Sequence, residues 1–212
     1  ITPAVRRPGR IRSAIAAPET VIPSPIISTF DARCPGFNVP EEKLDRSPAV
    51  YGPPESGSGP IEELDRPYDQ PPVRLSGGGG MVGTAADYSN FCQMMVNGGN
   101  LNGTRILGPK TVDLMTKSHL PDEVKTFTLS EGRSDYTRGC GFGLGFRIIE
   151  DVAKNGIAGS AGSYSWGGAA STYFWIDPVE DMYAIFMTQF MPSGHYPIRA
   201  EFQTMVYQAL VD

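Results

Sequence analysis

The chain has 212 residues, 40% of them hydrophobic and 19% charged, with 18 basic and 23 acidic side chains giving a formal net charge of -5. That length supports one domain with a substantial core. The acidic balance argues against a nucleic-acid surface, and no apolar run nears the roughly 20 residues needed to cross a bilayer. Three well-separated cysteines, Cys34, Cys92 and Cys140, form no C-x-x-C, so neither a zinc ribbon nor a thioredoxin-type redox site is indicated. Two histidines, His119 and His195, are too few for a histidine-based metal cluster, and no cofactor is expected.

Fourteen of the 19 prolines precede residue 73, and residues 1–36 carry a local net charge of +3. This opening stretch has no sustained helical or strand period and reads as a proline- and arginine-rich extended segment. Pro3, Arg6, Arg7 and Pro8 stand where the apolar core of a signal peptide would lie, which favours a cytoplasmic address. The chain begins without Met, so a longer N-terminus is expected. Residues 37–75 read as an excursion around a body, punctuated by Pro53-Pro54, Gly59-Pro60 and Pro71-Pro72. Val50, Tyr51, Ile61, Leu64 and Tyr68 are expected to pack it down.

From residue 76 the pattern sharpens. Ser76 and the glycines 77–80 form a loop. Thr84 and Asp87 make a helix N-terminal signature, and Tyr88, Phe91, Cys92 and Met95 supply one apolar helical face until Gly98-Gly99. Cys92 on that face is expected to be a small core hydrophobe. Asn102-Gly103-Thr104 matches a glycosylation sequon, but reads better as a hairpin turn. Pro109 suits the first turn of a second helix reaching about Lys117. Three strands are predicted, over 141–150, 171–177 and 183–189, the last two joined as an antiparallel hairpin. Residues 156–165 read as a small-residue loop. Ile198, Phe202, Met205, Val206 and Leu210 then predict a closing amphipathic helix over 197–210. The layout is α+β, with an antiparallel sheet and flanking helices.

Several sites are excluded by pattern. The glycine run lacks the Gly-Lys-Ser/Thr ending of a phosphate loop. Residues 139–145 place Leu144 where a dinucleotide fingerprint needs its third glycine, so the period-two glycines are expected to face a crowded neighbour. No G-x-S-x-G is present. A serine nucleophile can also be activated by a lysine one helical turn away. Three positions before Lys43, Lys110, Lys117, Lys125 and Lys154 stand Pro40, Leu107, Leu114, Asp122 and Asp151, and none is a serine. Tyr88-Ser89-Asn90 imitates a Tyr-x-Asn motif, but Tyr88 belongs to the apolar helix face.

One motif remains. Trp166-Gly167-Gly168 runs into Ala169-Ala170-Ser171 just before an aromatic strand pattern. Paired glycines there forgo packing, which points to a close approach to the backbone. Such an approach suits a substrate carbonyl oxygen held by backbone N–H groups.

The stretch Leu75 to Tyr88, its continuation through Met95-Val96-Asn97-Gly98-Gly99 and Arg105-Ile106-Leu107-Gly108-Pro109, and Leu114-Met115 resemble class C β-lactamase-like serine hydrolases. Gly141 to Phe146, Trp166-Gly167-Gly168 and Phe186-Met187-Thr188-Gln189 resemble the family VIII carboxylesterase branch. The resemblance covers residues 37–212. It implies the C-terminal part of a β-lactamase/transpeptidase-like fold and a serine acyl-enzyme mechanism. By the same resemblance, Trp166, Gly167 and Gly168 occupy the place of the Lys-Thr-Gly motif and contact substrate. The Ala169 backbone N–H is then one oxyanion donor, and the nucleophile's own N–H the other. Trp and Gly in place of Lys and Thr remove a cationic anchor, which favours neutral short-chain esters over penicillin-type acids, with weak β-lactamase activity at most.

The family's Ser-x-x-Lys and general-base tyrosine belong to a half that this chain does not encode. Three readings follow. The chain is half of a serine esterase that works with a complementary segment or chain. Alternatively, it is a non-catalytic truncated or pseudoenzyme module that binds a ligand or partner. Lastly, it is a weak esterase using Ser163, Ser165 or Ser171 as nucleophile and His195 as a distant base. The strand bearing Trp166 is expected to expose apolar surface for self-association or for a complementary chain. No nucleic-acid or membrane partner is expected.

Overall fold

The computed structural model describes residues 36–55, 60–64, 70–121, 124 and 138–211, together with the backbone of two strands at 12–16 and 21–23. Tyr68, Cys34 and most of residues 1–35 lie outside the described residues. Two short strands open the chain, β1 (Arg12–Ala16) and β2 (Val21–Pro23). A 3-10 turn over Glu41–Arg46 leads to a small hairpin of β3 (Val50–Gly52) and β4 (Glu62–Leu64). Strand β5 (Val82–Thr84) runs directly into helix α1 (Ala85–Val96). The ribbon β6 (Asn100–Leu101) and β7 (Thr104–Arg105) precedes α2 (Pro109–Met115). Then follow β8 (Cys140–Phe142), β9 (Arg147–Ile149), the short α3 (Val152–Asn155), β10 (Tyr164–Gly167), β11 (Tyr173–Asp177), β12 (Met182–Phe186) and α4 (Ile198–Gln208).

The central sheet has the order β1-β12-β11-β10-β9-β8. From β8 to β12 each strand pairs antiparallel with its successor, as the α+β layout requires. The predicted hairpin of the last two strands is present, with Asp177 opposite Met182. Strand β1 joins the far edge in parallel with β12, inside a stretch whose sequence shows no strand period. Edge pairing of this kind is carried by backbone groups and leaves little side-chain signal. Strand β2 pairs with β5.

Two expectations for strands need correction. The single strand foreseen over 141–150 is two strands. Gly145 takes φ +91, and the Gly143 N–H donates to the Phe146 carbonyl at 2.8 Å, closing a turn between β8 and β9. The loop foreseen over 156–165 ends early, because Tyr164 and Ser165 already pair with Ile148 and Arg147. The glycine pair therefore closes one strand rather than opening another.

Local signals account for the helices. Thr84 Oγ1 accepts the Asp87 N–H at 3.1 Å while Asp87 Oδ2 accepts the Thr84 N–H at 2.8 Å, a complete capping box. Pro109 starts α2 at its first helical position, and the helix stops at Met115, short of Lys117. Asn102 (φ 50) and Gly103 (φ 84) make the two-residue turn between β6 and β7, so the hairpin reading of that tripeptide holds. The crowded glycines are also real. A Cβ at Gly141 would strike Ser118, and one at Gly143 would strike the Met115 carbonyl.

Helices cover both faces of the sheet. On one face Tyr88, Phe91, Cys92 and Met95 of α1 pack with Phe146, Ile148, Tyr164, Phe174, Ile176, Tyr183 and Ile185. Cys92 is fully buried, and burial pushes its thiol well up, as expected of a core hydrophobe. On the other face Tyr173, Trp175, Met182 and Ala184 meet Phe202, Val206, Tyr207 and Leu210 of α4. Met205, assigned to that apolar face from spacing, is 58% exposed. The excursion packs down only in part: Val50 is buried, whereas Tyr51 and Ile61 are exposed. No helix among the described residues is long and apolar enough to cross a membrane.

Phe174 is the hub of the α1 face, with ring centroids 5.0 Å from Tyr88 and 6.3 Å from both Phe91 and Phe146. Phe174→Ala is expected to cost about 3–5 kcal/mol, read as a lowered urea midpoint at unchanged m-value.

Candidate functional site

The site begins at the end of β10. Trp166 is half-buried against the α1 face, its ring edge-on to Phe142 at 5.3 Å. The strand exposes less apolar surface than expected: Tyr164 and Ser165 are buried, and Trp166 and Gly167 partly so. After Gly167 the chain turns. The Gly168 N–H donates to the Thr172 carbonyl at 3.0 Å, and the Ser171 N–H donates to the Gly168 carbonyl at 3.2 Å. Ser171 takes φ +67, uncommon for a residue with a side chain. Its Oγ–H donates to the Phe190 carbonyl at 2.8 Å, and the Phe190 N–H returns a bond to the Ala170 carbonyl at 3.1 Å. The turn is thus bound on one side to the segment that follows β12.

On its other side lies α4. The Arg199 Nη2 donates to the Gly168 carbonyl at 2.6 Å and to the Thr172 carbonyl at 3.1 Å. A Cβ built on Gly167 would lie 2.7–2.8 Å from the guanidinium atoms. The close approach that the glycine implied is therefore an arginine side chain of the same molecule. Arg199 also stands over the Tyr173 ring, 5.7 Å from its centroid.

Arg199 is the first of three polar residues spaced by four along α4. Gln203, 2% exposed, accepts the Tyr173 hydroxyl at 3.1 Å and donates to the Ala158 carbonyl at 3.0 Å. The Tyr207 hydroxyl donates to Asp177 Oδ2 at 2.6 Å. Burial and the Asp177 carboxylate push that phenol far above its usual range. Asp177 is itself fully buried and also accepts the N–H groups of Ser160, Val179 and Glu180. Apolar periodicity cannot register this stripe. Its only sequence signal is Arg, Gln and Tyr recurring one position after Ile198, Phe202 and Val206.

Ala169 sits at the exposed crest of the turn, and no hydrogen bond among the described residues engages its N–H. The remaining candidates are less available. Ser163, Ser165 and Ser171 are all buried, and Ser171 is committed to Phe190. The His195 ring packs with Phe190 and Tyr196, centroids 5.3 and 4.5 Å away, and no hydrogen bond among the described residues joins it to any of the three serines. Tyr88 is a buried core ring of the α1 face, and burial pushes its phenol well up. Among the described residues no cluster of three or more His, Cys, Asp or Glu is placed to hold a metal ion.

An antiparallel sheet between helices, with a backbone-lined turn at the end of an inner strand, is the frame of a β-lactamase-like fold. The Beta-lactamase family model matches residues 18–206, and the chain belongs to that family. Protein Rv1367c of Mycobacterium tuberculosis is 31% identical over 161 residues, spanning 74% of this chain but 40% of that protein. The chain thus covers less than half the length of the curated relatives it matches. Among solved structures, EstCE1, a hydrolase with promiscuous acyltransferase activity, superposes with TM-score 0.61 at 23% identity over 80% of this chain and 46% of that one. A simvastatin synthase variant from Aspergillus terreus gives TM-score 0.65 at 18% identity, covering 82% of this chain and 46% of that one. A penicillin-binding protein homologue from Caulobacter crescentus gives 0.58 at 16%, covering 83% and 48%. These likenesses establish the fold.

Gly167→Ala is expected to expel the Arg199 guanidinium and lower the thermal midpoint, because the added Cβ meets a hydrogen-bonded group. The second substitution Arg199→Ala, which vacates that space, should remove most of the added cost, a coupling that a double-mutant thermal cycle reads directly.

Proposed function

We propose that this chain supplies the oxyanion strand and acyl-binding wall of a serine hydrolase that cleaves neutral, short-chain carboxylic esters, in the manner of the family VIII carboxylesterases. The observation that carries the reading is the turn at residues 168–172. It holds the Ala169 N–H, unengaged among the described residues, at an exposed crest, where the third motif of the family falls by sequence resemblance. A donor fixed by the surrounding backbone costs no reorganisation when charge develops on a carbonyl oxygen, the situation in which such donors contribute most. In this reading Trp166, Gly167 and Gly168 line the substrate, and the nucleophile's own N–H completes the pair of donors.

Electrostatics favour the ester over the acid. By sequence resemblance Trp166 takes the place of the β-lactamase lysine, and Arg199, the nearby cation, is turned onto the Gly168 and Thr172 carbonyls. Neither offers a charged fork to a substrate carboxylate. The serine and its activating lysine come from a complementary segment or chain, because no Ser-x-x-Lys is encoded here. A second reading, a non-catalytic module that binds a ligand through the same turn, is favoured by the burial of Ser163, Ser165 and Ser171.

Hydrolysis of p-nitrophenyl acetate and butyrate separates the two. The chain alone should neither turn over these esters nor take up a fluorophosphonate probe. Supplied with a family segment carrying Ser-x-x-Lys, it should do both, with the label on that serine by mass spectrometry. No turnover in the complemented protein would leave the binding module, and a labelled serine in this chain alone would overturn the assignment of roles.

A further inference from the structure

The Gly168 carbonyl and the Ala169 N–H belong to one peptide group, and that group is trans. In a trans peptide the C=O and N–H are coplanar and point in opposite directions. Whatever holds the carbonyl therefore aims the N–H. Two donors hold it here: the Arg199 guanidinium at 2.6 Å from the α4 side and the Ser171 N–H at 3.2 Å. The carbonyl faces α4, so the Ala169 N–H is directed away from it. Thr172 fixes the neighbouring groups, since its carbonyl accepts the Gly168 N–H of the preceding Gly167–Gly168 amide at 3.0 Å and the same Arg199 nitrogen at 3.1 Å, which holds the guanidinium in place. Gly167 makes the arrangement sterically possible.

The geometry points to Arg199 as a positioning residue that strengthens the oxyanion donor through the peptide bond, by fixing the plane of the Gly168–Ala169 amide and polarising it from behind with a full positive charge. This rests on the reading of Ala169 as an oxyanion donor. A charge-assisted bond to a carbonyl is roughly twice as strong as a neutral one. Drawing electron density toward the amide oxygen leaves the N–H more positive, so successive hydrogen bonds along one peptide reinforce each other. The effect grows as negative charge develops on the substrate oxygen, so it acts on the transition state more than on substrate binding. In this arrangement Arg199 acts through the amide and not on the substrate.

The test has one arm in this chain and one in the complemented esterase. In the chain, the Ala169 amide proton is followed by NMR in Arg199→Lys and Arg199→Gln, with Ile176 in β11 as the control. Loss of polarisation should move the Ala169 proton upfield, more in R199Q than in R199K, with Ile176 unmoved. Arg199→Ala is then titrated with guanidinium ion and, separately, with urea, its neutral planar analogue. Guanidinium should restore the resonance and urea should not. In the complemented protein, R199Q should lower kcat about tenfold with KM nearly unchanged, less than the roughly 10²–10³ lost when an oxyanion donor is removed outright.

An Ala169 amide that ignores R199Q, or equal rescue by urea and guanidinium, would overturn the proposal. If R199Q does not fold, R199K decides it by the same resonance. If no ester is hydrolysed even by the complemented wild type, the catalytic reading fails by itself. The amide shift still decides whether Arg199 polarises the turn.

Discussion

The space beside the backbone of residue 167 admits either a side chain on that residue or the guanidinium of Arg199, and the rest of the site depends on the guanidinium being there. Glycine at 167 concedes the volume. Arg199 then binds the carbonyls of Gly168 and Thr172, which closes the turn between β10 and β11. With the turn closed, Ser171 is held at positive φ and reaches Phe190, and Ala169 is left at the crest. An arginine suits this place because its flat guanidinium lies against the bare backbone of Gly167 while one nitrogen, Nη2, reaches both carbonyls.

The same logic extends along α4. Arg199, Gln203 and Tyr207 each reach a different group on the sheet or its loops, and a neighbouring stripe of Phe202, Val206 and Leu210 packs on Trp175 and its neighbours. The apolar stripe gives the helix affinity for the sheet. The polar stripe gives it register, because a buried Gln203 left without partners would cost about 1–3 kcal/mol. A one-residue slide of α4 would satisfy the hydrophobic contacts approximately and these hydrogen bonds not at all.

Much of this was legible in the sequence, and for identifiable reasons. The capping box of Thr84 and Asp87, the Asn102-Gly103 turn, Pro109 and the α1 face each depend on neighbours within a few residues, so local chemistry decides them. The hairpin of β11 and β12 was visible for the same reason. The division of residues 141–150 into two strands was not, because Phe142, Leu144 and Phe146 keep a strand period straight through the turn. The glycine pair was correctly read as a site of close approach, but its occupant lies 32 positions further along the chain. Met205 was misplaced because spacing alone cannot tell the edge of an apolar stripe from its centre, and it says nothing of the polar stripe beside it.

The strand order has a consequence for how the molecule assembles. From β8 to β12 every strand pairs with its immediate successor, so this meander of residues 140–186 closes only short loops. Loop-closure entropy rises with separation, and low contact order favours rapid folding. By contrast, β1 must reach β12 across more than 160 residues. The meander can therefore form first and serve as the template on which α1, α4 and the distal edge dock. By sequence distance the outermost strand is expected last, and the turn carrying Ala169 is complete only once α4 docks and brings Arg199 onto it.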